Sequence, residues 1–355
     1  MKFLRLAFYV LIAQLVLSGC AGEGVEETSS SSSSEINFDA YLGRNASTRA
    51  GETNIASLKG TDFNSGFGVF ARYHHTDGTI SSLMDNERVT WNGNRWGYTN
   101  TRYWPNQGTV DFYAFAPYDG SVKLVKKPKS NDANPTYIEF TSSMHPVDLV
   151  WGAQIDKPAP TSPTDSQVKF KFQHALARLA FDITANRELL EEKDAGINVK
   201  EVKLYGNKEN ENEGAFDVHG YLNLEDGTWS VDPVININTR TVYTWTPTGA
   251  EDGTSFKLTA SKLDHTCEKI ENASNSYLCI IPQTKYNPFY LKITYTVQQG
   301  SFEEEVTVSK NLLDGRNSFP FEKGKAYVFH LKLSLDPINF SITTTVEDFV
   351  KGKNE

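Results

Sequence analysis

Cysteine thiols and arginine-flanked peptide bonds are the groups in this sequence with the clearest covalent chemistry. Cys20 closes Leu17-Ser18-Gly19-Cys20, which has the form of a lipobox, where cleavage before the cysteine leaves a thiol that carries a diacylglyceryl group. Each buried methylene contributes about 0.8 kcal/mol, so several long acyl chains would hold such a protein to a membrane almost permanently. Arg44 and Arg49 lie in a polar stretch just behind an apolar alternation, a setting open to proteolysis. For Cys267 and Cys279, a disulfide and two separate core thiols fit the sequence equally well if the chain is exported. Two cysteines without a second ligand pair do not make a zinc site, and no metal or cofactor is expected.

Enzymatic chemistry is not indicated. The sequence holds no G-x-S-x-G, no H-E-x-x-H and no P-loop, and acidic pairs such as Glu191-Glu192 read as solvated surface. His174 falls on the inward face of an alternating run without a nucleophile or carboxylate motif, which describes a satisfied core histidine. Residues 207–214 are rich in Asn and Glu but lack the Asp spacing and late Glu of a calcium loop, so a turn is expected.

The elements that position these groups begin with a secretory signal over residues 1–19. Lys2 and Arg5 precede an apolar run from Leu6 to Leu17 that is too short to span a bilayer. Residues 20–35, acidic and then serine-rich, have almost nothing to bury and read as a flexible tether. In the first strand, 36–43, Ile36, Phe38, Ala40 and Leu42 alternate with Asn37, Asp39, Tyr41 and Gly43, the period of a half-buried strand. The serine tract before it and the loop 44–52 behind it both look cuttable, so this strand is removable.

At 355 residues and 39% hydrophobic, the chain has room for two well-cored domains. A net charge of −9 and a pI near 5.4 argue against nucleic acid as a partner. Short alternating runs dominate from residue 60 onward, including 67–71, 110–116, 199–205 and 289–297, while 187–194 is the one convincing helical turn. Asn92-Gly93-Asn94 between Val89–Trp91 and Trp96–Tyr98 predicts a tight hairpin, since Asn and Gly tolerate positive φ. The pattern is all-β, with two antiparallel β-sandwich domains, 36–165 and 166–355, separated by a stiff stretch holding Pro158, Pro160 and Pro163. Beyond it the apolar parity shifts between Val168, Phe170, Phe172 and Leu179, Phe181, Ile183, as at a bulge or where a chain changes sheets. The last alternation puts Ile338, Phe340, Ile342, Thr344 and Val346 on one face within 338–350. Its opening, Ile338-Asn339-Phe340, repeats Ile36-Asn37-Phe38, so the two strands could fill similar grooves. Trp91, Trp96, Tyr98, Tyr103 and Trp104 are either an exposed platform for sugars or core and cross-strand pairs.

Together these residues resemble the fimbrillin family of Bacteroidales, lipoprotein pilins of type V pili and their minor-subunit relatives. The likeness rests on the lipobox and tether, on the I-x-F strand followed by Thr48-Arg49-Ala50, and on Tyr103-Trp104-Pro105 before Phe112-Tyr113-Ala114. Phe170-x-Phe172-x-His174-Ala175-Leu176-Ala177-Arg178-Leu179, Ile281-Pro282-Gln283 and Gly324-Lys325-x-Tyr327 continue it. The resemblance implies two transthyretin-like sandwiches in tandem, export as an outer-membrane lipoprotein displayed on the cell surface, and cutting by an arginine-specific protease. By position the cut would fall between Arg49 and Ala50, with Arg44 the second choice, removing both the lipid on Cys20 and the first strand. The emptied groove would take the closing strand of another fimbrial subunit, identical or not, and a head-to-tail exchange of this kind grows a filament. The alternative is an accessory or tip adhesin that binds host protein or glycan.

Overall fold

The computed structural model describes residues 34–43, 53–128, 134–142, 147–162, 166–185, 195–231, 240–245, 256–258, 270–271, 278–333 and 341–348. Apolar side chains at every second position build strands almost throughout. The main ones are β1 (Asn37–Tyr41), β2 (Phe67–His74), β3 (Ile80–Trp91), β4 (Thr109–Ala116), β5 (Tyr137–Thr141), β6 (Val150–Pro158) and β7 (Gln167–Lys171). They continue with β8 (Ala177–Ala185), β9 (Ala195–Tyr205), β10 (His219–Asn223), β11 (Tyr290–Gln299), β12 (Phe302–Asn311), β13 (Lys325–Leu333) and β14 (Ser341–Asp348). The expected helical turn at 187–194 lies outside the described residues. A single turn of helix, α1 (Ile55–Leu58), occurs where none was anticipated, closed by a capping box between Asn54 and Ser57.

The first core lies between two layers. A six-stranded sheet runs in the order Gln173–His174, β6, β4, β2, β3, Trp96–Gly97, and the pair β1 and β7 faces it. Phe67, Val69, Ala71, Val110, Phe112 and Ala114 point inward from the sheet and meet Ile36, Phe38, Val168, Phe170 and Phe172. Thus β7 serves the first core, although it follows the proline-rich stretch. The second core forms between two further sheets, one ordered β8, β13, β14 from its centre to its edge, the other containing β9, β11 and β12. Phe181, Ile183, Tyr295, Phe329 and Leu331 are among its buried members.

A third cluster joins the halves. β10 pairs with β5, and Leu222 and Leu224 pack with Ile138, Phe70, Phe115 and Trp151 on the outer face of the six-stranded sheet. The described residues therefore belong to one compact unit. The parity shift after Phe172 marks the chain's passage from the first core to the second, which begins at Ala177.

Most pairings are antiparallel, as alternation suggested, but β1 with β7 and β8 with β13 are parallel. Both parallel pairs join segments far apart in sequence, whose connection is long enough to return the chain in the same direction. The Asn92–Asn94 turn forms as expected, with Trp91 opposite Trp96 and Gly93 at φ 100°.

Candidate functional site

The first strand is built into its core rather than laid over it. Ile36, Phe38 and Leu42 are 0%, 2% and 6% exposed, while Ala40 is partly buried. Phe38 stacks on Phe170 at 5.9 Å with 17° between ring planes and meets Phe67, Tyr98 and Phe112 at 5.4 to 6.5 Å. Such offset and edge-on pairs add to area burial.

Backbone groups hold the strand along its length. β1 runs in parallel register with β7 from Asn37 opposite Gln167 to Tyr41 opposite Lys171. At its start the Ile36 amide donates to the Arg102 carbonyl at 2.9 Å, and the Trp104 amide donates to Ser34 at 2.9 Å. The Tyr98 hydroxyl donates to the Ile36 carbonyl at 2.8 Å, and burial pushes its pKa above the ordinary tyrosine value, so it remains a donor. At the far end the Phe172 amide donates to Tyr41 at 2.8 Å. Removing the strand would expose this edge together with pockets for three buried side chains, worth at most about 4.5 to 9 kcal/mol at ~1.5 to 3 each.

The closing strand sits very differently. β14 pairs antiparallel with β13 at the edge of its sheet, with Ile342 opposite Leu331, Thr344 opposite Phe329 and Val346 opposite Tyr327. Ile342 is partly buried against the second core, but Val346 is 54% exposed. Two polar links help to hold it, Lys325 Nζ to Asp348 Oδ1 at 2.5 Å and His330 Nε2 with Thr345 Oγ1 at 2.9 Å. Ile338 and Phe340 lie outside the described residues, as do Cys20, Arg44, Arg49, Ala50 and Cys267. Cys279 is buried.

Just downstream of the expected cleavage loop the chain is pinned. The Thr53 amide donates to Asp148 Oδ2 at 2.8 Å, and His174 Nδ1 meets Asp148 Oδ1 at 3.0 Å, all three residues being buried. His174 is thus a core histidine held by a carboxylate, a partner that no nearby sequence motif announced.

The aromatic platform does not form as a unit. Trp96 and Trp104 are buried, Trp91 packs beneath the Lys59 ammonium at 3.8 Å, Tyr98 is committed to Ile36, and Tyr103 alone of the five is exposed. Cross-strand and core packing claims these rings because they flank the first strand's groove. Among the described residues no group of three or more His, Cys, Asp or Glu side chains could hold a metal ion, and no helix is long and apolar enough to cross a membrane.

The sequence model of the fimbrillin-like family matches residues 48–348. This chain belongs to the fimbrillin-like family. The fimbrium subunit Fim1C of Phocaeicola vulgatus is 30% identical over 190 residues, covering 48% of this chain and 49% of that relative. The chain therefore spans about half the length of the curated relative it matches. A crystal structure of a fimbrial protein from Bacteroides vulgatus aligns over 89% of this chain and 99% of its own, with TM-score 0.62 and 21% identity, a likeness of fold. The fimbrillin-like chain described here shares the all-β build of that structure.

Proposed function

We propose that this chain is a structural, non-enzymatic subunit of a cell-surface fimbria, exported as an outer-membrane lipoprotein through Cys20 and assembled by strand exchange after an arginine-specific protease cuts behind Arg49. The family membership supports the fimbrial part of this reading. The observation that carries the exchange is the contrast in burial: Ile36 and Phe38 fill a groove almost completely, while Val346 of the closing strand remains half exposed on a sheet edge. A groove that needs an alternating apolar strand and a loosely seated strand of that pattern are complementary.

In this account the two cores are transthyretin-like sandwiches in tandem, with the seam between Phe172 and Ala177. Loss of 20–49 frees the lipid anchor and the first strand together, and Ile338, Phe340, Ile342, Thr344 and Val346 of a neighbouring subunit take the vacated positions. The anchoring of Thr53 on Asp148 supports a retained chain that stays fixed from that residue onward.

Intact mass and N-terminal sequencing of the protein taken from the cell surface test the processing. The expected product is unlipidated and begins at Ala50. A surface protein that keeps lipidated Cys20 and residues 36–43 would contradict it.

A further inference from the structure

Among the described residues, the third cluster leaves part of the six-stranded sheet's outer face uncovered, and that part is polar. Tyr113 and Phe115 of β4 lie under Leu222 and Leu224, whereas Asp111, on the same face of β4, lies at a cleft of about 470 Å³ with Arg72 and His74 of β2. Glu225, just after β10, and Thr136, just before β5, form its rim. The cleft is therefore a consequence of where the small sheet stops.

Its floor is ordered in advance. Asp111 is buried, and its carboxylate accepts from the Asp156 amide at 2.8 Å and the Tyr113 hydroxyl at 3.3 Å and pairs with His74 Nε2 at 2.7 Å. It sits where the register between β4 and β6 slips, and Asp156 opposite has φ 53°, a left-handed conformation that a non-glycine residue seldom adopts. Bulges of this kind re-aim a side chain, and an off-pattern backbone next to a cleft is a reason to ask about function. Arg72 Nη1 is steadied by Ser82 Oγ at 2.6 Å. Burial first, and then the Asp111 charge, push the Tyr113 hydroxyl well above its ordinary pKa, so it stays protonated.

The signs of the lining groups select the ligand. Arg72 and His74 provide cationic or donor groups, Asp111 and Glu225 carboxylates, and Ser81 and Thr136 hydroxyls. A phosphate would meet the carboxylates and a metal ion would meet the guanidinium. A neutral ligand whose hydroxyls both donate and accept satisfies the whole set, and Ile80, 41% exposed, gives its C–H surface an apolar contact. We infer that the cleft between Arg72, His74, Asp111 and Glu225 is a saccharide-binding site, distinct from the groove of the first strand. The inference does not depend on strand exchange.

Saturation-transfer NMR on the full chain, with D-galactose, N-acetyl-D-glucosamine, L-fucose and D-mannose as probes and inorganic phosphate as the comparison, tests it. At least one sugar is expected to bind with a Kd of millimolar order. Arg72→Met and, separately, Thr136→Val should each weaken that binding about tenfold or more at an unchanged melting temperature, while Tyr103→Ala, on the exposed ring beside the first strand, leaves it intact. Saturation of none of the sugars, binding indifferent to both cleft variants, loss of binding in Tyr103→Ala, or binding of phosphate alone would each overturn the assignment.

Discussion

The opening and closing strands carry nearly the same alternation, I-N-F followed by further apolar positions, and β1 is packed very differently from β14, the described part of the closing strand. β1 is gripped by β7, by Arg102 and Trp104 at its start, and by the rings of Phe67, Phe112 and Phe170 from below. β14 has one neighbour, β13, among the described residues, and a face that the second core covers only in part. Pattern sets which side chains share a face, whereas position in the sheet sets how much water they leave behind. For the proposed strand exchange the difference has a direction: a tightly packed groove supplies affinity, and a strand with a side chain already half in water loses less apolar burial on leaving, although its eight-residue ladder with β13 must open.

Substitutions on the two strands give the strongest test of this contrast. Phe38→Ala should destabilise the unprocessed protein by about 3 to 5 kcal/mol, since it empties a fully packed ring site, and thermal or urea unfolding will read it. On the other strand, Val346→Ala should stay within about 0.5 kcal/mol because the side chain is already half in water. Equal losses at both sites would break the comparison. Between these extremes, Tyr98→Phe should cost about 1 kcal/mol, the worth of the hydroxyl bonds to the Ile36 carbonyl and from the Arg102 amide.

The smallest expected effect is electrostatic. Lys325 is held above its ordinary pKa, first by its hydrogen bond to Asp348 and then by that residue's charge. A raised folded-state pKa means that the link contributes fully below the ordinary lysine value and is lost as pH rises through the folded one. The link is open to solvent and salt screens it. At one fixed neutral pH, hydrogen exchange of β14 amides should therefore quicken in high salt, with the β1 amides far less sensitive. Faster exchange of β1 than of β14 in high salt would count against the assigned difference.

Much of this was legible in the residues. The alternation at 36–42 foretold a half-buried strand and the Asn-Gly turn its hairpin, while the parity change after Phe172 fitted either a bulge or a change of sheet, and the chain changes sheets there. What escaped were pairings that no local pattern encodes. Gln167–Lys171 lies far along the chain from Asn37–Tyr41, and its parallel direction depends on the intervening fold. Asp148 as the partner of His174 and the bulge that aims Asp111 are likewise products of register. The turn of α1 was missed because one turn has no periodicity to detect; Asn54 and Ser57, three apart, were the available signal. The tryptophans near the first strand carried an ambiguous pattern, since a ring suited to stacking on sugar is equally suited to lining a groove.

The central claim is that the groove occupied by residues 36–42 accepts the closing strand once it is vacated. A synthetic peptide of residues 338–350, added to protein cut behind Arg49 and to the uncut protein, tests this by calorimetry and thermal melting. The account predicts saturable binding and a higher melting temperature for the cut protein, and neither for the uncut one. Equal binding to both, or binding to the cut protein that survives replacement of Phe340 and Ile342 in the peptide by Asp, would contradict it.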